Sequence, residues 1–592
     1  MRVAVPYLCL LILGGSACRQ TDDTDQSPIA AVISQSWEFE KRENPLFATQ
    51  AGDNRYDAEL PRMTSEDLRR RQDSLRLFLQ RLDAIDTTAL STLDRINRTM
   101  MRDRLGNWLA TIDGDEDRIP ILADDGFHIA LAQLPTYAAR SSASDIERYV
   151  SRLNQVPRYF REYTALMRRG LETGYTMPRV VLEGYEVTIA AHVVSDPEKS
   201  LFYRPLTLLP AAMADTTKDR LRQAARTAIS DSVVSAYRDF LGFMTDTYRP
   251  GARLTTAARD LPGGDSLYHR KVHFFTTLNI TPDSIHALGL GEVARIEAEM
   301  RVVMRKTGFT GDLQAFIAML RGNPRFYAKT PEELVRYAAW IAKTMDGKLP
   351  ALFGRLPRQP YTVEKVPDHL APKYTGGRYV DAPIDGPEPG RYWVNTYNLP
   401  SRPLYVLPSL TLHEAVPGHH LQGALTQELQ GLPDFRRYSY VNAYGEGWGL
   451  YSERLGIEAG MYADPYADFG RLTYEMWRAC RLVVDTGLHW QRWTREQAMQ
   501  YLADRTALSL HEVRTETDRY IAWPGQALAY KMGELTIRRL RSEAEQALGS
   551  QFDVRAFHDA VLANGTVPLG VLEEQIRAWV ATVGGPRASA ER

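Results

Sequence analysis

The residues best suited to chemistry lie in the segment 412–422, LHEAVPGHHLQ. Three of the 12 His in this 592-residue chain, His413, His419 and His420, fall within eight positions of one another, beside Glu414. Two neutral imidazoles can hold a zinc ion, and a neighbouring carboxylate can take a proton from an attacking water. The segment therefore predicts the core of a zinc hydrolase, with Glu414 as the general base.

The spacing of these histidines departs from the common HExxH pattern, in which two His lie one turn apart on a regular helix. Position 417 is Pro, so that pattern is absent. On a straight helix, His413 and His420 would share a face but lie about 10 Å apart at ~1.5 Å per residue. Because zinc bonds are only about 2 Å long, one ion could not join them. A straight helix cannot form this site.

Pro417 and Gly418 predict a break that removes this difficulty. Proline lacks a backbone donor and disfavours helical geometry at the preceding residue, and glycine permits a sharp turn. A bulge with two inserted residues would bring His419 back toward His413 and make it the second ligand. A bulge one residue longer would select His420, which is the alternative ligand.

The third ligand is expected in the downstream segment 442–453, NAYGEGWGLYSE. Glu446 follows the first His by 446 − 413 = 33 residues, enough for one helix to turn and a second to cross the metal. Gly445 and Gly447 flank this Glu with little side-chain volume, so it can approach an ion closely. Glu453 lies two helical turns further along the same face. Two His and one Glu leave the fourth zinc position open, which is typical of a catalytic site.

Two further groups of side chains are candidates for the site. Asp485 and His489, one helical turn apart, can be interpreted as a carboxylate that orients a catalytic histidine, or as a surface salt bridge. The segment RYIAWPGQALAY holds Arg519, Tyr520 and Tyr530, which could bind a peptide carboxylate or stabilise an oxyanion. Core packing is the alternative interpretation for these aromatic residues.

The surrounding sequence is mainly helical in its pattern. Thr64, three residues before an Asp, has capping-box spacing, and Thr281-Pro282 is a second helix start. Strand-like alternation is scarce and is clearest at 391–397, RYWVNTY, where Asn395 on a strand edge could bind an extended peptide. We therefore expect a mainly α fold with a small β element beside the active-site cleft.

The N-terminus has the features of an export signal. Residues 1–18 are predicted to be a signal peptide, because a short apolar run follows Arg2 and small residues precede Cys18. We expect lipidation at Cys18. Gly15 departs from the usual Leu of such sites, so cleavage after Ala17 without lipidation is the alternative.

The rest of the chain divides into a polar tether at 19–28 and one large helical catalytic domain at 29–585. A lobe boundary near 357–403 is suggested by frequent Pro and Gly. The balance of 72 Lys+Arg against 73 Asp+Glu argues against nucleic-acid binding. We expect an exported protein that meets the membrane only through its lipid anchor, in the cell envelope at the outer membrane or periplasm. The sequence does not indicate an oligomeric state.

Five motifs follow one another along the chain: HEAVPGHHLQ, GEGWGLYSERL, RLVVDTGLHWQRWTREQA, ETDRYIAWPGQALAYKMGELTI and FHDAVLANGTVPLGVLE. Together they resemble the domain-of-unknown-function 885 family of bacterial lipoproteins and secreted proteins, from Ile29 to Val583. This resemblance implies a mainly helical, zincin-like metallopeptidase. GEGWGLYSE is also similar to the glutamate-bearing helix of zinc aminopeptidases, which implies Glu446 as the third ligand.

The expected function is zinc-dependent hydrolysis of peptide bonds. The alternatives are a cell-surface lipoprotein that uses the same cleft only for binding, and a zinc amidase that acts on cell-wall fragments. The expected metal ligands are His413, His419 and Glu446; the expected catalytic residues are Glu414, His489 and Tyr530; and the expected substrate-binding residues are Asn395, Arg519 and Tyr520.

Overall fold

A computed structural model describes residues 27–123, 125–368, 370–384 and 388–585. The predicted signal peptide at 1–18 and most of the predicted tether, 19–26, lie outside the described residues. Within the described ranges, no helix combines the length and the apolar character needed to cross a membrane.

The structure is mainly helical, as predicted. The first half of the chain contains α1 (Ala30–Glu43), α2 (Pro45–Gln50), α3 (Ser65–Asp83), α4 (Thr92–Asp113), α5 (Phe127–Ala132), α6 (Leu134–Tyr137), α7 (Ala143–Asn154), α8 (Val156–Thr173), α9 (Val187–Ala190), α10 (Arg204–Thr207), α11 (Asp215–Ala228), α12 (Ser235–Phe243), α13 (Arg249–Gly251), α14 (Gly264–Thr276) and α15 (Pro282–Lys306).

The second half continues the helical pattern and includes the elements that carry the predicted site. Its helices are α16 (Leu313–Gly322), α17 (Pro331–Asp346), α18 (Leu349–Leu352), α19 (Leu407–Glu414), α20 (His419–Gln427), α21 (Asp434–Arg437), α22 (Asn442–Glu458), α23 (Pro465–His489), α24 (Arg495–Arg505), α25 (Leu510–Ala522), α26 (Ala529–Leu548), α27 (Val554–Leu562) and α28 (Leu569–Gly584).

Local capping signals fix several helix starts where the sequence predicts them. The side chain of Thr64 accepts a hydrogen bond from the backbone N–H of Asp67 at the start of α3. Thr281 does the same for Ser284 at the start of α15, with Pro282 at its first position. Each cap satisfies a backbone donor that the first turn of a helix leaves without an intrahelical partner.

One three-stranded sheet interrupts the helices, formed by β1 (Tyr361–Lys365), β2 (Gly377–Val380) and β3 (Gly390–Val394). The strand predicted at 391–397 is present as β3 but ends at Val394. It lies in the centre of the sheet, parallel to β1 and antiparallel to β2. The expectation of a strand edge there is wrong, because both sides of β3 are already paired. The two edges belong to β1 and β2.

The long helix α23 is buried along nearly its whole length and packs against α15. Charged groups between these helices are neutralised by one another. The Nζ atom of Lys531 on α26 lies 3.1 Å from Glu475 of α23 and 3.0 Å from both Glu292 of α15 and Glu534. Because an unpaired buried charge is costly, this network holds the three helices in one arrangement.

Helix α22, which carries Glu446, lies unusually close to α26. A Cβ atom on Gly447 would lie 2.5 Å from the Cα atom of Gly533, and a Cβ atom on Gly533 would lie 1.8 Å from the carbonyl oxygen of Ala443. The two backbones therefore touch where the glycines meet. A hydrophobic core that extends from Ile29 to Ile576 surrounds this contact.

Candidate metal centre

The predicted break in the histidine-bearing segment is present. Helix α19 ends at Glu414 and α20 begins at His419, and the Val416–Pro417 peptide bond between them is cis. His413 in the last turn of α19 and His419 at the start of α20 are brought together, with ring centroids 4.7 Å apart and ring planes at 89°. The two-residue insertion predicted from Pro417 and Gly418 thus allows the two histidines to converge.

Two contacts hold the loop between these helices in place. A Cβ atom on Gly418 would lie 1.8 Å from the carbonyl oxygen of His413, so only glycine lets α20 start against the end of α19. The indole Nε1 of Trp448 on α22 donates a hydrogen bond to the carbonyl oxygen of Pro417 at 2.8 Å. The loop is therefore tied to the helix that carries the third candidate ligand.

Glu446 completes a group of three candidate ligands. Its Oε2 atom lies 3.5 Å from Nε2 of His413 and 3.4 Å from Nε2 of His419. One donor atom from each of the three residues lies within 4.8 Å of the other two. Two imidazole nitrogens and one carboxylate oxygen that converge from two sides are a donor set suited to zinc.

A second carboxylate contacts the other ring nitrogen of His413 and orients its imidazole. The Nδ1 atom of His413 lies 2.8 Å from Oε1 of Glu453, which lies two turns after Glu446 on α22. Nη2 of Arg478 on α23 lies 3.4 Å from the same oxygen. A Cβ atom on Gly449 would lie 2.6 Å from the His413 ring, so the lack of a side chain there makes room for the imidazole. A carboxylate on the far ring nitrogen fixes the orientation and tautomer of a metal-binding histidine.

The electrostatics of the cluster favour a positive charge at its centre. Burial alone would lower the pKa of His413, but hydrogen bonds with Glu446 and Glu453 raise it to about 10. Burial alone would raise the pKa of Glu446, but hydrogen bonds from His413 and His419 hold it well below its ordinary value. A divalent cation could supply this positive charge in place of a proton.

Glu414 lies beside the cluster and is held by the sheet. Its side chain is nearly buried, with 9% exposed, and its Oε2 atom accepts a hydrogen bond of 2.8 Å from the backbone N–H of Tyr379. Tyr379 belongs to β2, whose outer edge faces α19. The small sheet thus positions the predicted general base.

His420, the alternative ligand, lies outside the group of three. Its Nδ1 atom accepts a hydrogen bond from the hydroxyl of Tyr379 at 2.9 Å, and its ring packs 4.4 Å from that of Tyr361. Burial lowers the pKa of His420 to about 4, so this imidazole is neutral at ordinary pH. The structure therefore places His419, not His420, with His413.

Tyr530 is the second predicted catalytic residue that the structure places at the cluster. Its ring stacks against that of His413, with centroids 6.2 Å apart and planes at 22°. The guanidinium of Arg481 lies 4.3 Å from the centroid of the Tyr530 ring. The Nε2 atom of Gln526 approaches the Tyr530 hydroxyl at 3.5 Å. The same Gln526 side chain accepts a hydrogen bond from Arg519 at 3.1 Å, which links the predicted substrate-binding Arg519 to the site indirectly.

The proposed pairing of Asp485 with His489 is wrong. His489 is fully buried, its Nδ1 accepts a hydrogen bond from the backbone N–H of Ala258 and its Nε2 donates to the carbonyl oxygen of Tyr520. Asp485 instead accepts from the hydroxyl of Tyr268 at 2.6 Å. Burial lowers the pKa of His489 to about 4. Both of its ring nitrogens are used within the fold, so the structure gives His489 no route to a substrate.

Tyr520 and Asn395, two of the predicted substrate-binding residues, are structural. The Tyr520 hydroxyl accepts hydrogen bonds from Trp477 at 2.7 Å and from Arg481 at 2.8 Å, in the core. The fully buried amide of Asn395 donates to carbonyl oxygens of the preceding loop and accepts from the backbone N–H of Tyr397. These side chains satisfy buried polar groups, so they leave no atom for a peptide.

Sequence reasoning missed three residues at the site: Tyr379, Tyr440 and Arg478. Tyr379 holds both Glu414 and His420 from β2, and Arg478 contacts Glu453 from α23. The ring of Tyr440, which precedes α22, lies 6.4 Å from that of His419 on α20. Each lies on a different element from the group that it contacts. No motif or spacing in the sequence signals such contacts.

One cavity of about 490 Å³ lies elsewhere in the fold and contains no predicted site residue. It is lined by Glu297, Leu313, Gln314, Met476, Asp504 and Arg505. The three candidate ligands reach the surface instead through His419 and Glu446, whose side chains are 15% and 13% exposed.

Comparison with known proteins identifies a family and two similar structures. The model of a family described as "Bacterial protein of unknown function (DUF885)" matches residues 45–576. No match was found among curated proteins. A solved structure of a candidate lipoprotein from Colwellia psychrerythraea is 28% identical, with a TM-score of 0.87 over 94% of this chain and 99% of that one. A candidate lipoprotein of unknown function from Shewanella oneidensis is 17% identical, with a TM-score of 0.74 over 93% and 100% of the two chains, which shows a shared fold.

Proposed function

The chain belongs to the DUF885 family of bacterial proteins, and from this starting point we propose that it is a zinc-dependent hydrolase of peptide bonds with a zincin-like site. The observation that carries the proposal is the convergence of His413, His419 and Glu446, with Glu414 beside them. A structural zinc site usually uses four protein ligands, whereas three ligands leave a position for chemistry. The description of the family names no activity, so the proposal rests on this geometry.

The three donors fit zinc in type, in number and in charge. His413 is already oriented by Glu453, and the raised pKa of His413 reflects a centre that favours positive charge. Bound zinc would polarise the scissile carbonyl and make water a stronger acid. His413, His419 and Glu446 would hold the ion, and the protein supplies the other groups of the reaction.

Glu414 and Tyr530 have distinct roles in the proposed reaction. The Glu414 carboxylate would accept a proton from the attacking water and pass it to the nitrogen of the leaving amine. The hydrogen bond from the N–H of Tyr379 holds that carboxylate in place without supplying a proton for the reaction. Tyr530, against His413, would donate a hydrogen bond to the oxygen of the substrate carbonyl as negative charge develops there.

We also propose that the protein is exported and lipid-anchored at Cys18 in the cell envelope. The support is the signal-like N-terminus together with two structural neighbours that are described as candidate lipoproteins. An anchored hydrolase of this kind would meet its peptide substrates outside the cytoplasm. Cell-wall fragments are the substrate of the amidase alternative.

We expect the purified protein to bind about one zinc per chain and to cleave peptides in a zinc-dependent way. The measurement is elemental analysis of protein prepared without chelator, followed by digests of a peptide library and of cell-wall fragments with and without chelator, read by mass spectrometry. Restoring cleavage with added zinc after chelation is the control for loss of the metal.

Each alternative gives a different result in this experiment. Zinc at well under half an equivalent, with no uptake when zinc is added, contradicts the metal site. Zinc without any cleavage of peptides supports the binding protein, and cleavage confined to cell-wall fragments supports the amidase.

Replacement of Glu453 by Gln should weaken zinc binding by about 10- to 100-fold, because His413 loses the carboxylate that orients it. Zinc affinity, measured by competition with a chromophoric chelator, checks this. Glu458→Gln, on the same helix but paired with Arg541 at the surface, is the matched control and should leave the affinity unchanged. Equal zinc affinities for wild type and Glu453→Gln would show that the carboxylate of Glu453 does not support zinc binding.

A further inference from the structure

A second tyrosine stands on the open side of the metal cluster. Tyr440 precedes α22, and its ring centroid lies 6.4 Å from that of His419. The residue is 52% exposed, whereas Tyr530, against the other histidine, is only 8% exposed. The hydroxyl of Tyr440 lies against the backbone of Gly445 and hydrogen-bonds with the neighbouring Glu446. The outer face of the ring thus meets solvent while the hydroxyl points into the cluster.

Gly445 makes this placement possible. A Cβ atom on Gly445 would lie 2.4 Å from both the hydroxyl oxygen and the Cζ atom of Tyr440. The tip of the phenol therefore rests on the backbone of the residue directly before Glu446. Any larger residue at 445 would push the hydroxyl away from the cluster.

We propose that Tyr440 is a catalytic residue, whose hydroxyl donates a hydrogen bond to the oxygen of the scissile carbonyl. Gly445, which has no side chain, leaves the space that the Tyr440 hydroxyl occupies. This inference rests on the proposed function and adds to it a second donor besides Tyr530. The two tyrosines come from different elements and each lies against a different candidate histidine ligand.

The reaction that Tyr440 would assist is balanced without any change in the tyrosine itself. The water oxygen bonds to the carbonyl carbon, and the electron pair of the C=O bond moves onto the oxygen. The proton of the water goes to Glu414. The electron pair on the oxygen then forms the C=O bond again, the pair of the C–N bond leaves with the amine nitrogen, and that nitrogen takes the proton from Glu414. Tyr440 keeps its proton throughout and shifts its hydrogen bond from Glu446 to the oxygen where charge develops.

The test compares Tyr440→Phe with wild type as zinc-loaded proteins. We expect kcat to fall by about 100- to 1,000-fold with KM little changed, as for loss of one donor to an oxyanion. Zinc affinity should be unchanged. The affinity for a phosphinic peptide, whose tetrahedral phosphorus mimics the reacting carbon, should fall by a similar factor when measured by calorimetry. Tyr397→Phe, which alters a tyrosine that is 46% exposed, is the matched control.

Gly445→Ala gives an independent arm of the same test. It should reproduce the loss of kcat and of phosphinic-peptide affinity in the wild-type background, because the methyl group displaces the phenol tip. In the Tyr440→Phe background it should add little, since the hydroxyl is already gone. Calorimetry of both backgrounds reports this coupling independently of turnover.

Several outcomes would overturn the inference. Unchanged kcat and unchanged phosphinic-peptide affinity in Tyr440→Phe would remove Tyr440 from the reaction while leaving the hydrolase proposal intact. A loss of zinc in Tyr440→Phe would make Tyr440 a support for Glu446 and not a catalytic residue. If wild type itself neither binds zinc nor cleaves peptides, the proposed function fails, and the inference fails with it.

Discussion

Replacing Glu414 with Gln should lower peptide hydrolysis by about a hundredfold or more while zinc stays bound, because the variant lacks a general base. The amide has nearly the same shape as the carboxylate and can still accept the hydrogen bond from the N–H of Tyr379. It cannot take the proton that the attacking water must lose. Turnover and zinc content, measured on the same preparation, check this prediction.

A matched control for Glu414→Gln removes the same charge elsewhere in the protein. Glu332→Gln removes the same charge from an exposed position at the start of α17 and should leave turnover unchanged. Turnover of Glu414→Gln equal to that of wild type would exclude Glu414 as the base. Turnover lost together with zinc would instead show that the carboxylate supports the metal centre.

His419→Ala should lose most of the zinc affinity, whereas His420→Ala should keep it. The first variant leaves a site with two protein ligands, so the loss should exceed the ~100-fold that removal of a supporting partner can cost. His420 contributes no donor to the group of three, because Tyr379 and Tyr361 occupy its surroundings. Competition with a chromophoric chelator measures both affinities.

The histidine pair also allows a clear contradiction. A strong loss of zinc in His420→Ala with none in His419→Ala would reverse the assignment and place the bulge one residue later. His420→Asn is a useful companion variant, since it keeps a polar partner for the Tyr379 hydroxyl and separates a folding defect from a loss of metal. If neither histidine variant loses zinc, the site itself is wrong.

The features that could be predicted from the sequence depend on neighbours within a few residues. Thr64 and Thr281 cap helices through bonds to residues three positions ahead, so their signals are local. The break at Pro417 follows from the backbone chemistry of proline and glycine. Glu446 could be predicted because its motif, with a glycine on each side, is distinctive. The 33 residues after His413 also give the chain enough length to turn back toward that histidine.

The features that could not be predicted depend on contacts between distant segments. The pairing of β1 with β3 makes β3 a central strand, and nothing within 391–397 indicates that partner. Asp485 and His489 have the spacing of an interacting pair, but each is buried and bonds to a different group. A helical spacing shows which side chains can meet. It does not show which partners the rest of the fold will offer them.

At the glycines of α22, alanine substitution has the opposite effect to the one that a mutational scan usually relies on. Gly445, Gly447 and Gly449 face three different neighbours: the phenol of Tyr440, the backbone of α26 and the ring of His413. Alanine substitution normally removes atoms and exposes what a side chain contributed. Along this stretch alanine adds a methyl group where another part of the protein already lies, so the most damaging changes are the smallest additions. The packing of this segment therefore depends on the absence of a side chain at each of these three positions.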